Sequence, residues 1–232
     1  HEDYFGLERL LEVCQIAREL LDEMNLVVGR VIARPFIGES SDEYERTGNR
    51  RDFSILPPSK TLLDKLCDAG GQVVSIGKIS DIYAGQGITK QVKSTGLEEL
   101  FDNTIQEYVS AEPNSLVFVN FVDLDSSFGH RRDPRGYGNA LMYLDSRIPD
   151  LDRLLDEDTI VIMAADHGCD PTAPGSDHTR ECIPFLLWGK NIETEFTGAR
   201  YTFADIGQSI ADYMGVEELE FGTSVFKKNS NG

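Results

Sequence analysis

Thr159-Ile160-Val161-Ile162-Met163 runs directly into Ala164-Ala165-Asp166-His167-Gly168-Cys169-Asp170-Pro171, and then Gly175-Ser176-Asp177-His178-Thr179-Arg180. The first five residues are apolar or β-branched and read as a buried strand. The residues after them set two Asp-His pairs among glycines and prolines, a composition that belongs to a loop. A strand that empties into a polar, ionisable loop is where open α/β sheets place their chemistry. The rest of the chain has to supply the partners such a loop needs.

Outward from this stretch, helical and strand patterns alternate. Leu7 to Leu21 puts Leu7, Leu10, Leu11, Cys14, Ala17, Arg18 and Leu21 on one helical face. Leu26 to Ala33 reads as a strand, and the run from Gly38 to Asp52 as a long polar loop. Pro57-Pro58 breaks any element and marks a junction. Beyond it, Ser59 caps a helix ending at Gly70-Gly71, Val73 to Gly77 is a strand, and Leu97 to Val109 a helix. Leu116 to Val122 is a strand expected to be buried. Tyr137 to Leu155 is an amphipathic helix with Leu141, Leu144, Ile148, Leu151 and Leu155 on its apolar face. Ile183 to Trp188 is a further strand, and Thr202 caps a last helix closed by Gly215. Residues 227–232 read as a frayed tail. Alternating strands and helices imply parallel pairing with helices on both sheet faces: an α/β three-layer sandwich with a mostly parallel sheet.

The chain has 232 residues and a formal net charge of -18, which argues against nucleic acid or an anionic membrane as partner. An anionic substrate would have to be met by a local basic cluster. No apolar run reaches membrane-spanning length, and the expectation is a chain without a signal peptide. The four cysteines (Cys14, Cys67, Cys169, Cys182) are dispersed without a CxxC pair, which favours a reducing, cytoplasmic setting.

Of four histidines, the three internal ones each sit beside a carboxylate in a loop after a strand. His130 follows Asp123-Leu124-Asp125-Ser126-Ser127-Phe128-Gly129, and His167 and His178 lie in the opening stretch. Asp125, His130, Asp166, His167 and His178 thus leave strand ends on one edge of the sheet. Mixed imidazole and carboxylate donors suit a borderline-to-hard divalent ion such as Mn²⁺ or Zn²⁺. A pair of ions about 4 Å apart would suit displacement at phosphorus. Arg131, Arg132, Arg180, Arg30 and Lys78 are the cations near these residues, and phosphate or carboxylate partnership explains them best in so acidic a chain. Cys169 has no arrangement around it that marks a nucleophile.

At these residues the chain resembles the phosphopentomutase family, within the alkaline phosphatase-like metalloenzyme superfamily. The resembling segments are Val28 to Phe36, Ile76-Gly77-Lys78-Ile79-Ser80-Asp81-Ile82-Tyr83, Phe128-Gly129-His130-Arg131-Arg132-Asp133-Pro134, Asp166-His167-Gly168 with Pro174 to Glu181, and Thr202 to Gly207. The resemblance implies phosphoryl transfer between C1 and C5 of ribose or deoxyribose through a phosphothreonine, with two Mn²⁺ ions and a bisphosphate sugar as activator. It implies that Asp125, His130 and His178 hold one ion, that Asp166 and His167 hold the other, and that Arg30, Ile32 and Lys78 line the pocket for the substrate's distal phosphate. Residues 1–55 would be the C-terminal part of an inserted α+β cap domain, and residues 56–232 the C-terminal part of the metal-binding core. Cys169 stands where many relatives carry Asn.

The family's nucleophilic threonine, a further metal-binding Asp and the start of the cap belong to an N-terminal portion that this chain, beginning at His1, does not contain. The expectation is therefore a C-terminal part, incomplete as a mutase alone, with exposed core surface that favours self-association. Two other readings are a related phosphosugar mutase or phosphatase and a non-catalytic metal-binding module.

Overall fold

The computed structural model describes residues 1–193 and 197–226, so the expected frayed tail at 227–232 lies outside it. Helix α1 (Leu7–Glu23) packs on an antiparallel pair, β1 (Arg30–Ala33) and β4 (Arg51–Ser54). Cys14, Ala33 and Phe53 form the small core there, with Leu10, Leu11 and Val31 against it. Arg18, read from its helical spacing as core-facing, is indeed buried. It is satisfied by Asp22 at 2.6 Å and by donating to the Val28 carbonyl. The strand expected from Leu26 starts only at Arg30, because 26–29 have no ladder partner. The expected polar loop instead contains β3 (Glu45–Arg46), which pairs with β2 (Phe36–Ile37) just before the loop, and the start of β4.

The remainder is built on β5 (Gln72–Ile76), flanked in parallel by β6 (Lys90–Val92) and β7 (Ser115–Val119). Val73, Val74, Ser75 and Ile76 are all buried, as a central parallel strand requires. Alternation along β5 assigns its two faces. Val73 packs with Leu63 and Leu66 of α2 (Leu62–Asp68) and with Met214 beyond α6 (Ala204–Tyr213). Val74 and Ile76 pack with Leu100 of α4 (Leu97–Ser110). One sheet thus carries helices on both faces, which is the three-layer α/β sandwich.

Helix α5 (Pro134–Asp152) covers α4, with Phe101, Leu144, Leu151 and Leu155 as a second core against Val161 and Trp188. It begins earlier than its apolar spacing suggested, because Asp133 caps it by accepting the Gly136 amide and Pro134 fits the first turn. Helix α2 is likewise capped at Thr61 rather than Ser59. Thr202 does support α6, accepting the Ala204 amide, although Phe203 occupies the cap position.

Two further expectations change. Strands β8 (Val161–Ala164) and β9 (Phe185–Trp188) pair antiparallel, since a loop rather than a crossover helix joins them. They form a sheet of their own, separate from β5–β7. Strands β7 and β8, expected to be buried, are at most half-buried, and Ala164 is exposed. Among the described residues nothing pairs with the far edge of β7, and the cleft between the sheets is lined by Val117, Val119, Val161 and Ile162.

Candidate metal centre

The segment after β7 is a π-helical turn, Leu124–Gly129, where a plain loop was expected. Its closing bond runs from the His130 amide to the Asp125 carbonyl at 2.9 Å. Residues five apart are thereby brought into register, which places the Asp125 carboxylate beside the His130 ring. Gly129 is required at this bend: a Cβ there would overlap the Cys169 sulfur and lie 3.1 Å from the Leu124 carbonyl. Single π turns of this kind concentrate at functional sites.

His178 arrives from the loop between β8 and β9. Its Nε2 lies 3.2 Å from His130 Nε2 and 3.3 Å from Asp125 Oδ1, and His130 Nε2 lies 3.4 Å from the same oxygen. Four-coordinate donors at about 2.0–2.1 Å from an ion sit about 3.3 Å from one another, so this triangle has the dimensions of a divalent site. Two further features fit the group. The Nδ1 of His130 donates to the Ser176 carbonyl, which leaves its Nε2 lone pair facing inward. Asp125 Oδ1 is buried and, despite its two neighbouring rings, has no hydrogen-bond partner among the described residues.

His167 stacks on His178 with ring centroids 3.6 Å apart, and its Nδ1 donates to the Gly168 carbonyl. Asp125, His167 and His178 offer donor atoms within 4.8 Å of one another. Asp166 extends the group, with Oδ1 3.6 Å from His167 Nε2, from a side chain that is 80% exposed. The structure thus brings Asp125, His130, His167 and His178 together, whereas Asp166 touches only its neighbour His167. Asp166 and His167 lie just beyond the end of β8, at the strand-to-loop bend.

Across the cleft, Asp52 on β4 pairs with Ile32 in register and gathers cations. Arg50 grips its carboxylate with Nε and a terminal nitrogen, both at 2.9 Å, and Arg30 reaches it at 3.3 Å. Lys78, at the cap position of the short helix α3 (Ile79–Ile82) that follows β5, lines the same cleft. Burial, then Arg50, hold its ammonium below the ordinary lysine range, against the pull of Asp52 and Asp125. Ile32 is half-buried on β1 and does not line the cleft. Arg50 had no sequence signal of its own: it reaches Asp52 from two residues away, and the pairing of β4 with β1 sets that ion pair beside Arg30.

Arg132, grouped by sequence with the phosphate-binding cations, is otherwise engaged. Four of its five N–H bonds go to backbone carbonyls, at Gly129, Asp170, Gly175 and Asp177. Arg131 lines the cleft, whereas Arg180 does not. The Cys169 thiol is pushed up by burial and then by Asp125, so it stays protonated and is a poor nucleophile.

A sequence model of the metalloenzyme superfamily aligns with residues 17–218. The chain is 59% identical over 224 residues to a phosphopentomutase of Aeromonas salmonicida, covering 97% of this chain and 55% of that protein. A phosphopentomutase of Shewanella sediminis is 56% identical over 227 residues, covering 98% and 56%. The chain thus spans about half the length of the curated relatives it matches. Among solved structures, a phosphoglycerate mutase of Leishmania mexicana aligns with a TM-score of 0.54 at 17% identity, over 70% of this chain and 38% of that one. A protein of Pyrococcus horikoshii aligns with a TM-score of 0.54 at 14% identity, over 91% and 65%. These two likenesses concern the fold alone.

Proposed function

The chain belongs to the metalloenzyme superfamily, and we propose that it is the metal-bearing part of a phosphopentomutase, interconverting ribose or deoxyribose 1-phosphate and the 5-phosphate. The observation that carries this reading is the convergence of Asp125, His130 and His178, with Asp166 and His167 adjoining, in one cleft with the cations around Asp52. Identity of 56–59% to phosphopentomutases along nearly the whole chain supports the substrate class.

In this reading Asp125, His130 and His178 hold one divalent ion, and Asp166 and His167 contribute to a second. The imidazole and carboxylate mixture suits Mn²⁺. When bound, such ions polarise a phosphoryl group and neutralise charge that builds at its oxygens. The chain's own residues do the positioning. Arg30, Arg50 and Lys78 supply the positive cradle for the distal phosphate, in a protein whose net charge of -18 would otherwise repel it. Ile32, in register with Asp52, backs that cradle from β1. Because chemistry at C1 and C5 presents opposite ends of one sugar to the same centre, the cradle must accept either end.

The nucleophilic threonine, which would carry the phosphoryl group between turnovers, is assigned to the rest of the longer protein, as is a further metal-binding Asp. A bisphosphate sugar would charge that threonine. Residues 1–55 then form the end of a cap and 56–232 the end of the core, the cleft lying between them. Four free cysteines fit a reducing cytoplasm, and no helix among the described residues is long and apolar enough to cross a membrane.

Phosphorus NMR on the full-length protein tests this directly. With Mn²⁺ and a catalytic amount of pentose 1,5-bisphosphate, the ribose 1-phosphate signal should give way to ribose 5-phosphate. Failure of that conversion, or equal conversion by the isolated 232-residue chain, would overturn the reading.

A further inference from the structure

The loop that presents His178 is gripped at three consecutive carbonyls. Arg132 Nε donates to Gly175 O at 2.6 Å, His130 Nδ1 donates to Ser176 O, and an Arg132 terminal nitrogen donates to Asp177 O at 2.6 Å. The other terminal nitrogen reaches back to Asp170 O at 2.9 Å, where the same loop begins, and to Gly129 O at 3.4 Å. Arg132 itself holds a left-handed backbone, φ 54°, closed by its amide on the Gly129 carbonyl at 3.0 Å. A non-glycine residue keeps that conformation only where its surroundings over-determine it.

We infer that Arg132 is a positioning residue: its guanidinium ties the π-helical turn to the loop 170–178 and thereby sets His178 against His130 and Asp125. The inference rests on the proposed metal-holding role of those three residues. A planar fork with fixed N–H directions suits four carbonyls reached from three nitrogens, whereas an ammonium on a flexible stem has three donors at one point. A loop of Pro171-Thr172-Ala173-Pro174-Gly175-Ser176-Asp177 has little apolar surface to bury, so hydrogen bonds fix its path. Its base is closed by the Asp170 amide on Thr179 Oγ1 and the Thr179 amide on the Gly168 carbonyl, and the Arg132 and His130 bonds hold the stretch from Gly175 to Asp177.

Electrostatics give the inference a sign that separates it from a mere charge effect. A guanidinium two residues from a metal ligand repels a divalent ion, so deleting it would tighten binding if charge alone mattered. Positioning demands the reverse. Partners that orient metal ligands are typically worth about 10–100-fold in affinity.

The test uses the full-length protein and its variants R132A, R132K and H178A. Mn²⁺ affinity is measured by electron paramagnetic resonance titration, and amide hydrogen exchange is followed without metal. R132A should weaken one Mn²⁺ site by at least about tenfold, R132K should recover little of it, and exchange at 170–179 should accelerate while α4 and β5 keep their protection. R132K serves alone if R132A does not fold. Wild-type affinity, tighter binding, or unchanged exchange at 170–179 in a folded Arg132 variant overturns the inference. If H178A binds Mn²⁺ as wild type does, the metal reading fails instead, and the exchange arm still decides whether Arg132 holds the loop.

Discussion

The Nε2 atoms of His130 and His178 face each other at 3.2 Å, although 48 positions separate them in sequence. With the His130 Nδ1 proton committed to Ser176, two ring nitrogens and the unpartnered oxygen of Asp125 point at one place. Such a cluster is costly when empty and favourable when filled. Asp125→Asn should therefore shift stability in opposite directions: an unchanged or higher melting temperature in chelator, and a lower one with Mn²⁺, with affinity down at least about tenfold. Calorimetry with and without metal reads both signs; a uniform drop in the two states would count against the site.

The cradle makes a second claim. Replacing Lys78 or Arg50 by Ala removes a charge-assisted contact of about 1.5–3 kcal/mol, so the Michaelis constant for pentose phosphate should rise roughly 10–100-fold. Turnover at saturation should change less. Equal Michaelis constants would move the phosphate elsewhere.

Lys78 also sets a pH dependence. Its ammonium is held below the ordinary lysine value by burial and then by Arg50, so it is charged at low pH and neutralises early as pH rises. Phosphate affinity should fall on the alkaline side sooner than an ordinary lysine would allow. Lys78→Arg, which stays charged, should displace that fall to higher pH. Identical profiles for the two proteins would remove Lys78 from the binding step.

Asp64 supports α2, which buries Leu63 and Leu66 against β5. Burial pushes its carboxyl up, but hydrogen bonds from Gln86 at 3.0 Å and from the Thr61 amide and hydroxyl at 2.7 and 2.9 Å outweigh that and leave it lowered. A lowered carboxylate contributes stability that is complete above its unfolded value, about 3.9, and is lost as pH falls through the folded one. Asp64→Ala should cost about 1 kcal/mol at neutral pH, and the deficit should shrink in acid. A constant deficit from pH 7 to 2 would contradict this.

Gly129 and Cys169 are coupled by contact. Gly129→Ala should destabilise by about 1–3 kcal/mol through overlap with the Cys169 sulfur. Cys169→Ala alone should cost little, and the double variant should recover part of the loss. The nearby Leu124 carbonyl keeps recovery incomplete. Additive effects in denaturant titrations would show the two residues to be independent.

Much of this was legible in the chain itself. The apolar run around Val73 marked a strand, though not that it is the central one, and the Asp-His pairs after strands marked candidate ligands, because burial and ionisable loops both leave compositional traces. The antiparallel pairing of β8 with β9 was not legible, since a strand's direction leaves no mark in an apolar run. Nor was Arg132: a basic residue beside a ligand looks the same in sequence whether it faces phosphate or four carbonyls. The half-buried strands β7 and β8 fall short of the burial their side chains suggest, and α1 bares Val13, Ile16 and Leu20 in a stripe that its C-cap Met24 continues. The isolated chain should accordingly self-associate in light scattering. A monodisperse monomer would show that these surfaces are tolerated in water.

The π-helical turn acts as a ruler with whole-number marks. Asp125 and His130 are joined by the very bond that closes it, so their relative orientation is set by a residue count rather than by side-chain packing. Removing one residue between them would tighten closure to the α spacing and rotate His130 by about 100°. Point substitutions at the outward-facing Ser126 and Ser127 leave the count intact. Here the centre is tolerant of spelling and intolerant of length.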